Sequence, residues 1–138
     1  MIDGLYNTDV LALAANIQHV GNLEKPCGTA RKVSKLCGSW VEVDVCLETD
    51  IVTEFAIRLQ ACALGQASAA ILAEAVIGAS SAELHTARDD LRAMLKQGAD
   101  APEGRFAKLS LLADVANCPA RHTSTMLAFD AVIAASDA

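Results

Sequence analysis

Two neighbouring stretches of alternating side chains constrain the fold of this chain most strongly. Trp40–Leu47 alternates Val and Leu with Trp, Glu, Asp and Cys, and Val52–Leu59 alternates in the same way. The polar segment 48–50 between them is typical of a turn. Because successive side chains of a strand point to opposite faces, each stretch predicts a strand with one apolar face.

The two strands are expected to pair antiparallel. With Val43 opposite Ile57, Glu42 falls opposite Arg58, which makes a favourable cross-strand pair. Thr29–Lys35 is a weaker candidate for a third strand.

Helical spacing of apolar residues predicts helices around this sheet. They are a first helix that begins near Thr8 and ends at Gly21, an almost wholly apolar helix over Ala63–Ile77, a helix opened by the Ser80–Glu83 capping box and ended by Gly98, a short helix over Phe106–Val115, and a last helix opened by Pro119. The prediction is a single α+β domain over residues 1–138, with a small antiparallel sheet of about three strands and helices on one face.

Charge and composition exclude several classes of partner. The net charge of −6 argues against nucleic acid and against an anionic membrane surface, both of which attract basic proteins. No signal sequence is evident, and the longest apolar stretch, Ala67–Ile77, is broken by Glu74 and too short to span a bilayer. We therefore expect a soluble, cytoplasmic protein.

Five cysteines are present, an odd number, and none forms a C-x-x-C pair. In a reducing compartment they are expected to be free thiols or ligands rather than a disulfide framework. Cys46 lies within a predicted strand, and Cys27 and Cys118 lie in predicted loops, so structural or incidental roles are expected for these three.

Cys62 and Cys37 are the candidate site residues. Cys62 lies where a strand passes into a helix, and the unpaired amides there favour a thiolate that acts as a nucleophile or a metal ligand. Cys37 precedes Gly38 in a predicted turn, which lets the backbone approach a bound ion. We expect the two cysteines to meet in space. The alternative for Cys62 is a small buried side chain, since free cysteine is often buried.

Four segments together resemble the U-type iron–sulfur cluster scaffold family, which comprises IscU, SufU and the amino-terminal domain of NifU. Asn16–Glu24 is similar to the family's N-P-R-N-V-G-S-L-D segment, and Cys37-Gly38-Ser39 is similar to its C-G-D. Ala61–Ala69 is similar to its G-C-x-x-x-x-A-S-x run, and Pro119–Ala128 to its P-A-R-x-K-C-x-x-L-A. The resemblance covers nearly the whole chain.

The resemblance implies a cluster site from which ligands are missing. In the family the site has three cysteines and an aspartate, and some members add a histidine. Here Ser39 stands at the aspartate position, Ser124 at the third cysteine and Thr123 at the neighbouring histidine. Arg121 matches a basic position that steers an anionic ligand or caps the site. A [2Fe–2S] cluster and structural zinc each normally need four ligands.

Three hypotheses follow from the resemblance. The first is an assembly scaffold, not an enzyme, that binds iron or an iron–sulfur cluster through Cys37 and Cys62, with further ligands from a second chain in a homodimer or from an external thiol. The second is a persulfide carrier that accepts sulfur from a cysteine desulfurase, with zinc as an alternative metal. The third is an adaptor that has lost the site. The expected partners are a cysteine desulfurase and apo iron–sulfur acceptor proteins.

Overall fold

The computed structural model describes residues 8–35 and 38–137 and has a three-stranded antiparallel sheet with helices packed against it. Helix α1 is Thr8–Ala15, strands β1, β2 and β3 are Gly28–Val33, Trp40–Glu48 and Ile51–Gln60, helices α2 and α3 are Ala63–Ala75 and Ser81–Gln97, 3₁₀ turns occupy Gly104–Asn117 and Pro119–Arg121, and helix α4 is His122–Ser136.

The strand order is β1-β2-β3, and the predicted register of the hairpin is confirmed. Val43 lies opposite Ile57 and Glu42 lies opposite Arg58. On the inner face the valines of β2 are fully buried, and a register shift at Cys46 ends the regular alternation near the turn. The predicted α+β class, with a small sheet covered on one face by helices, is therefore confirmed.

Helix α4 packs on β1 and β2, and α2 packs behind it against α1 and α4. Small residues let these helices approach closely, since the fully buried positions of α2 include Ala67, Ala69 and Ala73. Phe129 anchors α4 in the core, edge-on to Phe106 at 5.7 Å between ring centroids. Burial of a side chain of this size contributes about 2–3 kcal/mol. No helix in the described part of the chain is long and apolar enough to cross a membrane.

The predicted limits of α3 are confirmed by its caps. The Ser80 hydroxyl accepts the Glu83 N–H at 3.1 Å, and the Glu83 carboxylate accepts the Ser80 N–H at 3.1 Å. Gly98 ends the helix with a φ of +67°, a conformation that glycine adopts without strain. The neighbouring predictions were less accurate: α2 ends at Ala75 rather than Ile77, and the segment predicted as a helix over Phe106–Val115 is a longer run of 3₁₀ turns.

The prediction that the first helix ends at Gly21 is wrong. The helix stops at Ala15, and residues 16–27, here called the strap, leave the helical path. His19 has a φ of +62°, and two main-chain hydrogen bonds of 3.0 Å join the strap to β3, from Gly21 N–H to Ile57 O and from Ile57 N–H to His19 O. Pairing with the open edge of β3 satisfies these backbone groups in place of helical bonds. His19 therefore does not cap a helix, and its ring packs edge-on against Phe55.

The strap then crosses the outer face of the sheet and is held by a buried ion pair. Asp44 has a side chain only 5% exposed and accepts two hydrogen bonds from Arg58, at 2.9 and 3.0 Å. It also accepts the Leu23 N–H at 3.1 Å, while Arg58 donates to the Gly21 carbonyl at 2.9 Å and to Glu42 at 3.0 Å. This polar cluster explains how an aspartate can be buried on the face that alternation assigns to solvent.

The strap ends in a disulfide between Cys27 and Cys46, which corrects the expectation that these cysteines are free. The β1–β2 register pairs Gly28 with Val45, so Cys27 falls opposite Cys46 with 4.8 Å between the Cα atoms. That separation lies within the range that a disulfide spans. The number and spacing of the cysteines could not predict this disulfide, because it is the register of β1 and β2 that brings Cys27 and Cys46 together. Cys62 and Cys118 are free, as expected.

Reduction of the disulfide is predicted to lower the free energy of unfolding by about 3 kcal/mol, the loop-closure entropy of a cross-link of this span. The measurement is urea unfolding with and without a phosphine reductant, on the wild type and on Cys27→Ser. The reductant should move the wild-type midpoint and leave that of Cys27→Ser unchanged. Equal shifts in both proteins, or none in either, would contradict the assignment.

Asp44→Asn is predicted to lower the free energy of unfolding at pH 7 by about 3 kcal/mol, because it leaves the buried Arg58 charge incompletely paired. The hydrogen bonds from Arg58, against the opposing effect of burial, hold the pKa of Asp44 below its usual value. Its contribution is therefore complete above the unfolded-chain pKa of about 3.9 and is lost as the pH falls through the lower folded-state pKa.

Unfolding of Asp44→Asn should consequently depend less on pH below 4 than unfolding of the wild type does. Glu42→Gln is the matched control, since Glu42 contacts the same guanidinium but is 31% exposed, and a change of less than about 1 kcal/mol is expected. Parallel pH profiles for the wild type and Asp44→Asn would show that the ion pair does not stabilise the fold.

Candidate functional site

The register of β2 and β3 brings the turn before β2 next to the end of β3. Trp40 pairs with Gln60, so the residues just outside this pair face each other across the end of the sheet. Here an open cavity of about 300 Å³ is lined by Gly38, Ser39, Gln60, Ala61 and Cys62. The cavity therefore joins two of the segments on which the family resemblance rests.

Cys62 occupies the N-cap position of α2, as the strand-to-helix prediction requires. Its backbone is extended, with φ −67° and ψ 169°, and its side chain makes no capping hydrogen bond. The Cys62 carbonyl accepts the first helical bond, from Gln66 N–H at 2.9 Å. The partly exposed thiol is thus available beside the amides of the first helical turn, where negative charge is favoured.

Ser124 lies directly beside this thiol. Its Oγ is 3.6 Å from Cys62 Sγ, and either atom can be the donor. The single hydroxyl proton of Ser124 is donated to the Arg121 carbonyl at 3.2 Å, which leaves the oxygen to accept from the thiol, and the residue is buried. The side chain at the third cysteine position of the family pattern is therefore placed next to Cys62 across a helix–helix contact.

A glycine makes that contact close. A Cβ on Gly65 of α2 would lie 3.1 Å from the Ser124 carbonyl oxygen and 2.9 Å from the Ala61 Cβ. Both distances are tighter than ordinary contacts, and because the Ser124 oxygen belongs to the backbone of α4, a side chain here would require α4 or α2 to shift. Sequence reasoning did not single out Gly65. The signal was a glycine in the first turn of a helix, where it lowers helix stability and must have a packing reason.

Ser39 is buried and lines the cavity, as its place in the pattern predicts. The turn that holds it is closed by two main-chain hydrogen bonds, from Gly38 N–H to Ser34 O at 2.9 Å and from Ser34 N–H to Ser39 O at 2.8 Å. Cys37 lies outside the described residues, so its predicted meeting with Cys62 stays a prediction. Its neighbour Gly38 lines the same cavity as Cys62.

Thr123 is placed differently from expectation, and for Arg121 only main-chain contacts are seen among the described residues. Thr123 is exposed and lines a second cavity, with His122 and Met126, rather than the one at Cys62. Arg121 contributes its carbonyl oxygen, which accepts the hydroxyls of Ser124 and Thr125. His122 is buried, with Nε2 3.0 Å from the Val115 carbonyl, so it has a structural position rather than a surface one.

The donor set in the described ranges is smaller than a metal site needs. No group of three His, Cys, Asp or Glu side chains among residues 8–35 and 38–137 could hold a metal ion. Cys62 is the one thiol at the cavity within these ranges, and the hydroxyls of Ser39 and Ser124 are poor substitutes for thiolate. Within the described ranges, Cys62 is thus the one thiol that this cavity offers to a ligand.

Comparison with known proteins identifies the family and the fold. The profile of the family described as NifU-like N terminal domain matches residues 5–135. The chain belongs to the NifU-like N-terminal domain family. The four segments that carry the resemblance all lie within the matched range.

Individual relatives agree with this assignment. A nitrogen-fixing NifU-like protein from Brucella abortus (its N-terminal part) is 46% identical and superposes with a TM-score of 0.95 over 97% of this chain and 93% of its own. The iron–sulfur cluster assembly scaffold protein IscU of Thermotoga maritima is 24% identical over 91% of this chain and 87% of its own.

A third relative supports the fold alone. It is a Fervidobacterium islandicum protein, provisionally described as an iron–sulfur cluster assembly scaffold for the SUF system. The two structures superpose with a TM-score of 0.87, 20% identity and 96% coverage of each chain.

Proposed function

We propose that this protein takes part in iron–sulfur cluster assembly and that the thiolates of Cys62 and Cys37 hold iron or a cluster as cargo. The observation that carries the proposal is the cavity that Cys62 shares with the Gly38–Ser39 turn, with Ser124 Oγ 3.6 Å from the thiol. Membership of a family of assembly scaffolds supports the same function.

The cargo would be held by an incomplete set of protein ligands. Two thiolates leave two ligand positions of a [2Fe–2S] cluster to be filled, because such clusters normally have four. Ser39 and Ser124 carry hydroxyls where the family pattern has an aspartate and a cysteine. We infer that the remaining ligands come from a second chain in a homodimer or from a small external thiol. The open side of the cavity leaves room for either.

The residues around Cys62 have roles that do not depend on which ligand completes the set. The Cys62 thiol lies at the N-cap of α2 and is partly exposed. Ser124 Oγ is within reach of the same sulfur, and if its single proton turned from the Arg121 carbonyl to the sulfur, the resulting hydrogen bond would tune a bound cluster. Gly65 keeps α4 close enough for that hydrogen bond. The geometry therefore supplies an accessible sulfur with a hydroxyl oxygen beside it.

A second candidate function is favoured by the isolation of Cys62 from other described thiols. A persulfide carrier needs one accessible thiolate and no ligand set. The Cys62 thiolate would attack the outer sulfur of a donor persulfide on a cysteine desulfurase, the donor S–S bond would break, and the donor would leave as a thiolate. The transferred sulfur would remain on Cys62 as a persulfide, for delivery to an assembly or acceptor protein.

The experiment that tests the proposal is anaerobic reconstitution with ferrous iron and sulfide, with and without glutathione. Iron, zinc and acid-labile sulfide are then measured per chain. The wild type should bind iron with sulfide when it dimerises or when glutathione is present. Cys62→Ser and Cys37→Ser should each lose most of both, because each removes one of two thiolate ligands. Cys118→Ser is the matched control and should bind like the wild type.

The other outcomes separate the alternatives. Cys62→Ser that retains wild-type iron and sulfide would overturn the proposed site. Zinc without sulfide would indicate a metal-bound sulfur acceptor. A wild type that binds no metal but gains the mass of one sulfur atom on Cys62, after incubation with a desulfurase and cysteine, would establish the persulfide carrier. A wild type that binds no metal and gains no sulfur would leave the third hypothesis, an adaptor that has lost the site.

A further inference from the structure

A second feature lies on the surface formed by β1, α3 and α4. Two adjoining cavities, of about 200 and 410 Å³, share Arg92 and Asp130 as lining residues. Together they form one depression, here called the basic groove. Its basic side chains are Lys32, Arg88, Arg92 and Lys96.

The groove is positive in an acidic protein. Its four basic side chains face two acidic ones, Asp130 and Asp137, whereas the whole chain has a net charge of −6. Asp137 lies 3.6 Å from His85, and Arg88 contacts Asp89 and, at 3.7 Å, Asp130. The other three basic residues of the groove make no ion pair within the part of the chain that the structure describes.

Asp130 at the floor of the groove does not neutralise it. The carboxylate is 31% exposed, and its Oδ1 has no hydrogen-bond partner among the described residues. Burial raises the pKa of Asp130, and the nearby charges of Arg88, Arg92 and Lys32 only partly oppose this. This one carboxyl group faces four basic side chains, so it cannot offset their charge by itself.

Three of the basic residues form a regular row. Arg88, Arg92 and Lys96 follow one another at intervals of four residues on α3, which places them about 6 Å apart along the helix axis. In an extended chain, alternate side chains on one face lie about 6–7 Å apart. Carboxylates at every second position of an extended peptide would therefore meet successive basic residues.

We propose that the basic groove binds an extended acidic segment of a partner protein, with carboxylates at alternate positions. The concave shape and the regular row suit a peptide. The charge of the rest of the chain opposes nucleic acid and anionic membranes, both of which present long or broad arrays of negative charge. This proposal concerns a surface separate from the cavity at Cys62, and its test needs no metal or sulfur.

The groove extends along α4 to the residue that precedes Ser124. Thr123 lines its end, and the next residue along α4 is Ser124, whose hydroxyl lies 3.6 Å from the Cys62 thiol. A partner segment seated along α3 would thus have one end at Thr123, the residue before Ser124. The exposed position of Thr123, which the family pattern did not predict, is explained by its place in this groove rather than at the cysteine.

The test uses a fluorescein-labelled peptide of alternating glutamate and serine, followed by fluorescence anisotropy at low ionic strength. Arg92→Glu should weaken binding about tenfold or more, because it reverses the central charge of the row. Lys25→Glu is the matched control: it makes the same change in net charge at an exposed position of the strap, and should weaken binding less than about twofold. Circular dichroism checks folding, and Arg92→Gln replaces Arg92→Glu if that variant unfolds.

Two further probes decide the class of partner. A peptide of the same composition with its glutamates in one block should bind more weakly than the alternating one. Oligouridylate of equal charge should not displace the alternating peptide at equal concentration. The proposal is overturned if the wild type does not bind the peptide, if Lys25→Glu weakens binding as much as Arg92→Glu, if the block peptide binds equally, or if the oligonucleotide competes equally.

Discussion

The pairing register of β2 and β3 is the constraint on which the rest of the structure depends. With Val43 opposite Ile57, the apolar side chains of both strands lie on the buried face, and Asp44 and Arg58 meet on the other face under the strap. The same register pairs Trp40 with Gln60 and so sets the turn before β2 beside Cys62. A slip of one residue would turn the valines outward and separate the two halves of the site.

The site combines one thiol with two hydroxyls. The close approach of α2 and α4 at Gly65 brings the side chain at position 124, a hydroxyl in this chain, to the Cys62 thiol. The sulfur is partly exposed and lies at an open cavity. Because fold alone does not determine function, the activity depends on what completes the ligand set or on whether sulfur alone is carried. The basic groove is a separate surface, and the proposed docking of an acidic segment there does not depend on the chemistry of this cavity.

Local patterns in the sequence were enough to predict the hairpin, the capping box at Ser80 and the strand-to-helix position of Cys62. They failed where long-range pairing decides the conformation. The path of the strap depends on a positive φ at His19 and on hydrogen bonds to β3, and the Cys27–Cys46 disulfide depends on the register of β1.

For the candidate site, too, the sequence placed some residues correctly and others not. Motif spacing predicted that Ser39 and Ser124 lie near Cys62, but Thr123 faces the groove, since consecutive residues of a helix point in different directions. Cys37 lies outside the described residues, so its place at the site rests on the family pattern and on the neighbouring Gly38.

The central claim is that the cavity keeps the geometry of a cluster site and lacks only ligands. The most direct measurement is the cluster content of Ser39→Asp/Ser124→Cys, reconstituted anaerobically without external thiol and separated by size. The account predicts about one [2Fe–2S] cluster per monomer, since the variant restores the usual ligand number. Ser39→Asp/Ser136→Cys, with the cysteine at the far end of α4, should gain none. Equal cluster content in the two variants, or none in either, would contradict the account.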